Sequence, residues 1–218
     1  YIVARDSNPG YKIAWLIFIS TFPSLGILFY LIFGGNKLGW YERKKMKDIV
    51  NDTIQNLEQD PKILDELKSK NPDAYHQAYY INHSSLSSVH QNTASKYYPL
   101  GEHFYKDFLE DLKTAKKYIF LEFFIINEGK MWNQILEILE KKAKEGITVR
   151  VIYDDFGCIM TLPKHYHKIL ERKGIECCAF NRFIPVLTSR INNRDHRKIA
   201  VIDGKVAYTG GINLADEY

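Results

Sequence analysis

The chain has 218 residues, with 30 Lys and Arg against 26 Asp and Glu and a net charge of +4. A composition that is 45% hydrophobic and 26% charged excludes collagen-like, low-complexity and wholly disordered chains. The length admits one ordinary domain and something smaller, not two full enzyme domains. A pI near 8.8 is too mild to imply a nucleic-acid partner. Cys158, Cys177 and Cys178 form no C-x-x-C pair, which argues against a disulfide scaffold or a cysteine zinc site and fits a reducing compartment.

The sequence starts at Tyr1 rather than Met and stops just past its richest motif, so it reads as a piece of a longer protein, with residues 1–10 ending an upstream segment. From Ile13 to Asn36 no residue is charged. Such a run is long enough, at about 1.5 Å per residue, to cross a hydrocarbon core of about 30 Å, and it predicts a transmembrane helix over residues 11–36 with a kink at Pro23. Tyr11 and Trp15 at one end, and Trp40 and Tyr41 beyond the other, suit an interfacial belt. Lys37, Arg43, Lys44, Lys45 and Lys47 follow the run, while Arg5, Asp6 and Lys12 precede it. The positive-inside rule then puts everything after residue 37 on the cytoplasmic side of a cell membrane, with the basic cluster against anionic headgroups.

Residues 37–96 read as a basic flank and a helical connector. An intermittent apolar stripe runs through 42–72, and a Ser-, Asn-, His- and Tyr-rich stretch covers 73–96. His76, His83 and His90 recur there without other metal ligands and are taken as ordinary polar residues. From residue 97 the pattern becomes regular. It predicts helices over 102–116, 131–145 and 165–173, the last two ended by Gly146 and Gly174. Strands are expected over 118–126, 147–153, 176–180, 198–202 and 205–209, the last two joined by a turn at Asp203-Gly204. This alternation implies an α/β class with layers of helix and sheet packed together.

The segment NNRDHRKIAVIDGKVAYTGGIN concentrates the chemistry. His196 and Lys198 are two apart, so in an extended segment they share a face. An imidazole beside a fixed ammonium suits attack on an anionic phosphodiester: the ring acts at phosphorus, and the cation offsets charge on the non-bridging oxygens. Asp203 has the opposite parity and reads as a turn or framework residue. Gly210 and Gly211 allow backbone to approach a ligand, and Asn213 offers an amide donor to a phosphoryl oxygen.

The spacing H-x-K-x4-D-x6-G-G-x-N resembles the signature of the phospholipase D superfamily, although Gly211 departs from the Ser often found there. Within it, YIFLEFFIINEGKMW, VRVIYDDFG, NNRDHRKIAVIDGK and TGGINLADEY, with the apolar run ahead of them, look like bacterial cardiolipin synthase. The resemblance implies a phospholipase D-like α/β/α sandwich over 97–218, the first half of a two-domain enzyme, with His196, Lys198 and Asp203 as catalytic positions. Lys198, Asn213, Gly210 and Gly211 would bind the substrate phosphate. It implies transfer of a phosphatidyl group between two phosphatidylglycerol molecules through a phosphohistidine, releasing glycerol, with no metal or cofactor. The same fold would alternatively serve a membrane-bound phosphodiesterase or a non-catalytic membrane scaffold. Such enzymes use two facing motifs, one histidine attacking and one protonating the leaving alcohol. Only one occurs in this sequence, so a missing C-terminal half or a second copy of the chain is expected to complete the site, and the piece alone to be inactive.

Glu122 interrupts an apolar strand, and a buried carboxylate requires a partner, which makes it a candidate to support the site from behind. Asp154-Asp155 closes a strand, either as ligand-binding carboxylates or as a strand-end cap. Arg190, Arg194 and Arg197 surround the motif and are candidates to steer an anionic headgroup.

Overall fold

The computed structural model describes all residues except 7, 36–39 and 184–192, and the side chain of Glu42. Arg190 and Lys37 therefore lie outside the described residues. The chain divides into two compact units, residues 1–36 with 98–218, and residues 37–97.

The charge-free run folds as two helices rather than one, α1 (Pro9–Thr21) and α2 (Pro23–Phe33). Pro23 has no N–H to extend α1, and Phe22 leaves the helical region at φ −131°, ψ 75°. The second helix then doubles back on the first. Trp15 meets Tyr30 edge-on at 5.3 Å and Phe18 meets Phe29 at 6.1 Å. Gly26 permits the close approach, because a Cβ there would lie 2.7 Å from Ile19 Cα. The single helix expected over residues 11–36 is thus corrected to a helical hairpin, and among the described residues no helix is long and apolar enough to cross a membrane.

The second unit contains α3 (Trp40–Gln55), α4 (Pro61–Lys70) and α5 (Pro72–Ser85). The last replaces part of the expected connector. Its start is chemically explicit: Asn71 accepts from Ala74 N at 3.0 Å, Pro72 occupies the first turn and Asp73 follows. His83 stacks on Tyr79 at 3.9 Å, one turn away, and its Nδ1 lies 2.9 Å from the Tyr79 carbonyl. No cluster of potential metal ligands occurs among the described residues.

The remainder forms α6 (Gly101–Thr114), β1 (Tyr118–Phe123), α7 (Lys130–Lys144), β2 (Thr148–Asp154), α8 (Tyr166–Arg172), β3 (Glu176–Phe180), β4 (Lys198–Ile202) and β5 (Val206–Thr209). The strands make one sheet in the order β3-β2-β1-β4-β5. β1, β2 and β3 are parallel, whereas β4 is antiparallel to β1 and β5 to β4. Strict alternation buries Ile119, Leu121 and Phe123 on β1, Val149, Val151 and Tyr153 on β2, and Ala200 and Ile202 on β4. Phe104 and Phe108 of α6 reach that face at Tyr208, and Trp132 of α7 donates its indole N–H to Tyr166 of α8 at 2.7 Å. The three helices thus share one face of the sheet. Tyr118, Phe120, Ile152, Ile199 and Val201, on the other face, stay half-exposed. In this unit the expected α/β/α sandwich is therefore two layers, α on β, among the described residues.

Candidate active site

Topology gathers the site at one edge of the sheet. The C-terminal ends of β1 and β2 meet there with the start of antiparallel β4, since Phe123 pairs with Lys198. β5 ends at the same edge, where Thr209 pairs with Ile199, and hands the chain to Gly210 and Gly211. The chain then returns alongside β1, where Ile126 bridges Leu214 and Leu214 N donates to Ile125 O at 3.1 Å. This carboxyl edge is where open α/β sheets collect ligand-binding groups.

His196 is exposed and Lys198 buried, only 6% accessible. The Lys198 ammonium donates to the His196 carbonyl at 2.8 Å and lies 3.3 Å from His196 Nδ1. The shared face expected from parity is realised. Phe124 forms a floor beneath both, its ring centre 4.5 Å from the imidazole and 5.0 Å from the ammonium. Burial pulls the Lys198 pKa below the ordinary lysine value, against the opposing pull of Asp195. An ammonium only donates, so at this contact Nδ1 accepts and a neutral ring carries its proton on Nε2.

Behind the histidine lies a carboxylate pair. Glu122 is held by Arg197 Nη2 at 2.6 Å, and Arg197 Nε also donates to Asp195 at 3.0 Å. Burial first, then the hydrogen bond and charge of Asp195, push the Glu122 pKa up to about 7, and the Arg197 cation opposes this without overcoming it. Asp195 shifts downward despite its burial, as the hydrogen bonds from Glu122 and Arg197 stabilise its charge. One proton shared between two carboxyls is the arrangement these opposed shifts describe.

Asp154 is fully buried and acts as a clamp. One oxygen accepts from Phe156 N at 3.0 Å, Gly157 N at 2.9 Å and Arg194 at 3.2 Å. The other accepts from Asp195 N at 2.9 Å and so fixes the residue ahead of His196. Asp155 reaches Phe183 N at 2.8 Å. The pair therefore ties loops together at the strand end.

The other expected residues divide. Gly210 and Gly211 are exposed on the same edge, with open space where a Cβ would stand. Asn213 is buried, its carbonyl accepting from Ile125 N at 3.0 Å and its amide donating to Tyr218 Oη at 2.8 Å. Asp203 sits at the opposite end of β4. Its carboxylate accepts from Lys116 N, Lys117 N and Tyr118 N at 2.9, 2.8 and 2.9 Å, which anchors the start of β1 and lowers its pKa. The structure therefore does not bring Asp203 beside His196 and Lys198, with which the resemblance groups it as catalytic, because it lies at the other end of β4, where it holds backbone. Asp195 and Phe124 were not singled out from sequence. The one available signal for Asp195 was its acidic side chain in an otherwise basic run, and Phe124 is indistinguishable there from its apolar neighbours.

The family described as cardiolipin synthase, PLD-like domain, matches residues 108–218, and that described as phospholipase D-nuclease N-terminal matches residues 1–35. An uncharacterized protein of Streptococcus mutans is 44% identical over all of this chain and 47% of its own length. Cardiolipin synthases of Alkalihalophilus pseudofirmus and Geobacillus kaustophilus are each 34% identical over all of this chain and 43% of their own length. The chain thus spans less than half the length of these curated relatives. Among solved structures, NucT from Helicobacter pylori aligns with a TM-score of 0.42 and 17% identity over 55% of this chain and 72% of that one, too distant to bear on the fold.

Proposed function

The chain belongs to the cardiolipin synthase PLD-like family, and from that premise we propose that it supplies one half of a phosphatidyltransferase site. The donor is phosphatidylglycerol, with a second phosphatidylglycerol as acceptor. The observation that carries the reading is the buried Lys198 ammonium set against His196 at the carboxyl edge of the sheet. A cation with little solvent around it offsets the charge that builds on non-bridging oxygens far better than a hydrated one.

In this reading one of two facing histidines attacks phosphorus, and the bond to the donor's glycerol oxygen breaks. The other histidine protonates that oxygen, so glycerol leaves neutral and a phosphohistidine remains. The acceptor's hydroxyl then attacks phosphorus while the second histidine takes its proton, giving cardiolipin and restoring both rings. The histidine that protonates the leaving oxygen must start as an imidazolium and ends the first half-reaction neutral, ready to take the acceptor's proton. The opposite histidine would come from the remainder of a protein as long as the relatives, or from a second copy. Lys198 and the open Gly210-Gly211 loop would receive the phosphate. Asn213 contributes less directly than its residue type suggests, because both ends of its amide already hold the scaffold. Membrane association belongs to the same reading, supported by the N-terminal match and by the apolar surface of the hairpin.

The test is lipid mass spectrometry after incubation with phosphatidylglycerol vesicles. It would use this chain and a protein extended to the length of its relatives, each beside His196→Ala. Cardiolipin and free glycerol that disappear in the variant are expected from the longer protein. Phosphatidic acid in place of cardiolipin would make water the acceptor and the protein a phosphodiesterase. Unchanged cardiolipin in His196→Ala would sink the assignment of the site.

A further inference from the structure

The hairpin of α1 and α2 has an outer surface that nothing within it covers. Ile13, Leu16, Ile17, Leu25, Leu28 and Leu31 are all exposed. Adjacent residues such as Leu16 and Ile17, about 100° apart on a helix, are both apolar and both exposed, so the surface wraps around the helix instead of forming a single stripe. A protein groove would cover one side of such an element; a hydrocarbon solvent covers all of them.

The two ends of the hairpin are tied together. Arg5 donates to the Gly34 carbonyl at 2.8 Å and lies 3.4 Å from Tyr30 Oη, while Lys12 Nζ reaches the Val3 carbonyl at 3.1 Å. All the charge of this segment therefore sits at its base. At about 1.5 Å per residue, α1 and α2 extend roughly 20 Å and 17 Å, close to half of a bilayer about 40–45 Å thick with its headgroups. The tip limits its unmet backbone groups. Phe22 N donates to Phe18 O at 2.9 Å, Gly26 N to Phe22 O at 2.6 Å, and the Thr21 hydroxyl to Ile17 O at 2.9 Å. Pro23 carries no N–H to satisfy.

We propose that residues 9–33 form a re-entrant hairpin that enters a single leaflet of an anionic bilayer and returns, leaving residues 1–5 and residue 35 onward on the same side. This rests on the membrane association proposed above and changes its geometry. The hairpin anchors without crossing, and Arg43, Lys44, Lys45 and Lys47 follow the exit point, where they meet anionic headgroups.

The test uses the chain bound to sealed vesicles of phosphatidylglycerol and phosphatidylcholine, recovered by flotation. Val3→Cys and Gly35→Cys are made separately; Val3 is exposed, and a side chain at residue 35 meets open space. A membrane-impermeant maleimide is added outside, and modified peptides are identified by mass. Exposed Cys178 in the same molecule reports the side on which the sheet lies. The expected result is that Val3→Cys and Gly35→Cys are both modified to the same extent as Cys178 without permeabilisation. If Val3→Cys reacts only after detergent while Gly35→Cys tracks Cys178, the segment crosses the bilayer, and the hairpin is overturned with membrane association intact. A chain that fails to float overturns both.

Discussion

The Lys198 ammonium lies 3.3 Å from His196 Nδ1 and is almost wholly buried, so the charge and the imidazole form one unit rather than two neighbouring surface groups. Lys198→Met keeps most of the side-chain volume and removes the cation. In a protein of full length, cardiolipin formation is expected to fall by about 10² to 10³, the usual loss when one charge-stabilising group is removed. Thermal unfolding should stay close to that of the unmodified protein. A rate within about threefold of the unmodified one would contradict the role given to the ammonium.

At the other end of β4, Asp203 accepts three backbone N–H groups and holds a left-handed conformation, φ 55°. Asp203→Ala removes the acceptor and places a residue poorly suited to that φ, so a lower unfolding midpoint is expected. Asp203→Asn tolerates the conformation but has one carbonyl acceptor. Because the folded pKa is depressed, the stability given by the carboxylate is present above the ordinary aspartate value and is lost as pH falls through the folded one. The difference in urea midpoint between the unmodified chain and Asp203→Asn should therefore be largest near neutrality and shrink below about pH 4. A difference that grows in acid would remove Asp203 from this framework role.

Much of this was legible in the sequence, and the failures share a cause. The strands at 176–180 and 198–202, the glycines ending α7 and α8, and the common face of His196 and Lys198 all depend on local periodicity and turn chemistry. The fold-back at Phe22 does not. It depends on Gly26 meeting Ile19 and on Trp15 meeting Tyr30, contacts that a count of apolar residues cannot register. The bounds of helix α5 inside the connector are hard to read because Ser, Asn, His and Tyr are weak helix formers, although Asn71-Pro72-Asp73 is a start signal. The need of Glu122 for a partner is legible in its apolar strand, but Asp195 and Arg197 reach it only when β1 and β4 pair. The open second face of the sheet likewise followed from where three helices pack, which strand–helix alternation leaves undetermined.

The core makes a separate prediction through Trp132, whose indole N–H is buried and donates to Tyr166 Oη. Tyr166→Phe keeps the ring and leaves that donor without its acceptor. A loss of about 1–3 kcal/mol in unfolding free energy is expected from urea titration, the cost of an unmet buried polar group. Trp132→Phe with Tyr166→Phe should lose less than the two single changes added together, since the unpaired donor is gone. Strict additivity would show that the bond contributes little.

The carboxylate pair gives the clearest pH signature. Glu122 in the folded chain holds its proton up to about pH 7, whereas an unfolded glutamate releases it near pH 4.3. Between these values the folded state binds more protons than the unfolded one, so stability falls as pH rises through that window. Asp195 shifts the opposite way, and its contribution changes only in more acidic solution. Glu122→Gln removes the titration while keeping a polar side chain beside Arg197 and Asp195. Urea midpoints measured at pH 5 and pH 8 should therefore differ less in Glu122→Gln than in the unmodified chain, where the higher midpoint is at pH 5 relative to the variant's trend. An identical pH dependence in both chains would mean that the proton is not shared at this position, and that Arg197 alone holds both carboxylates.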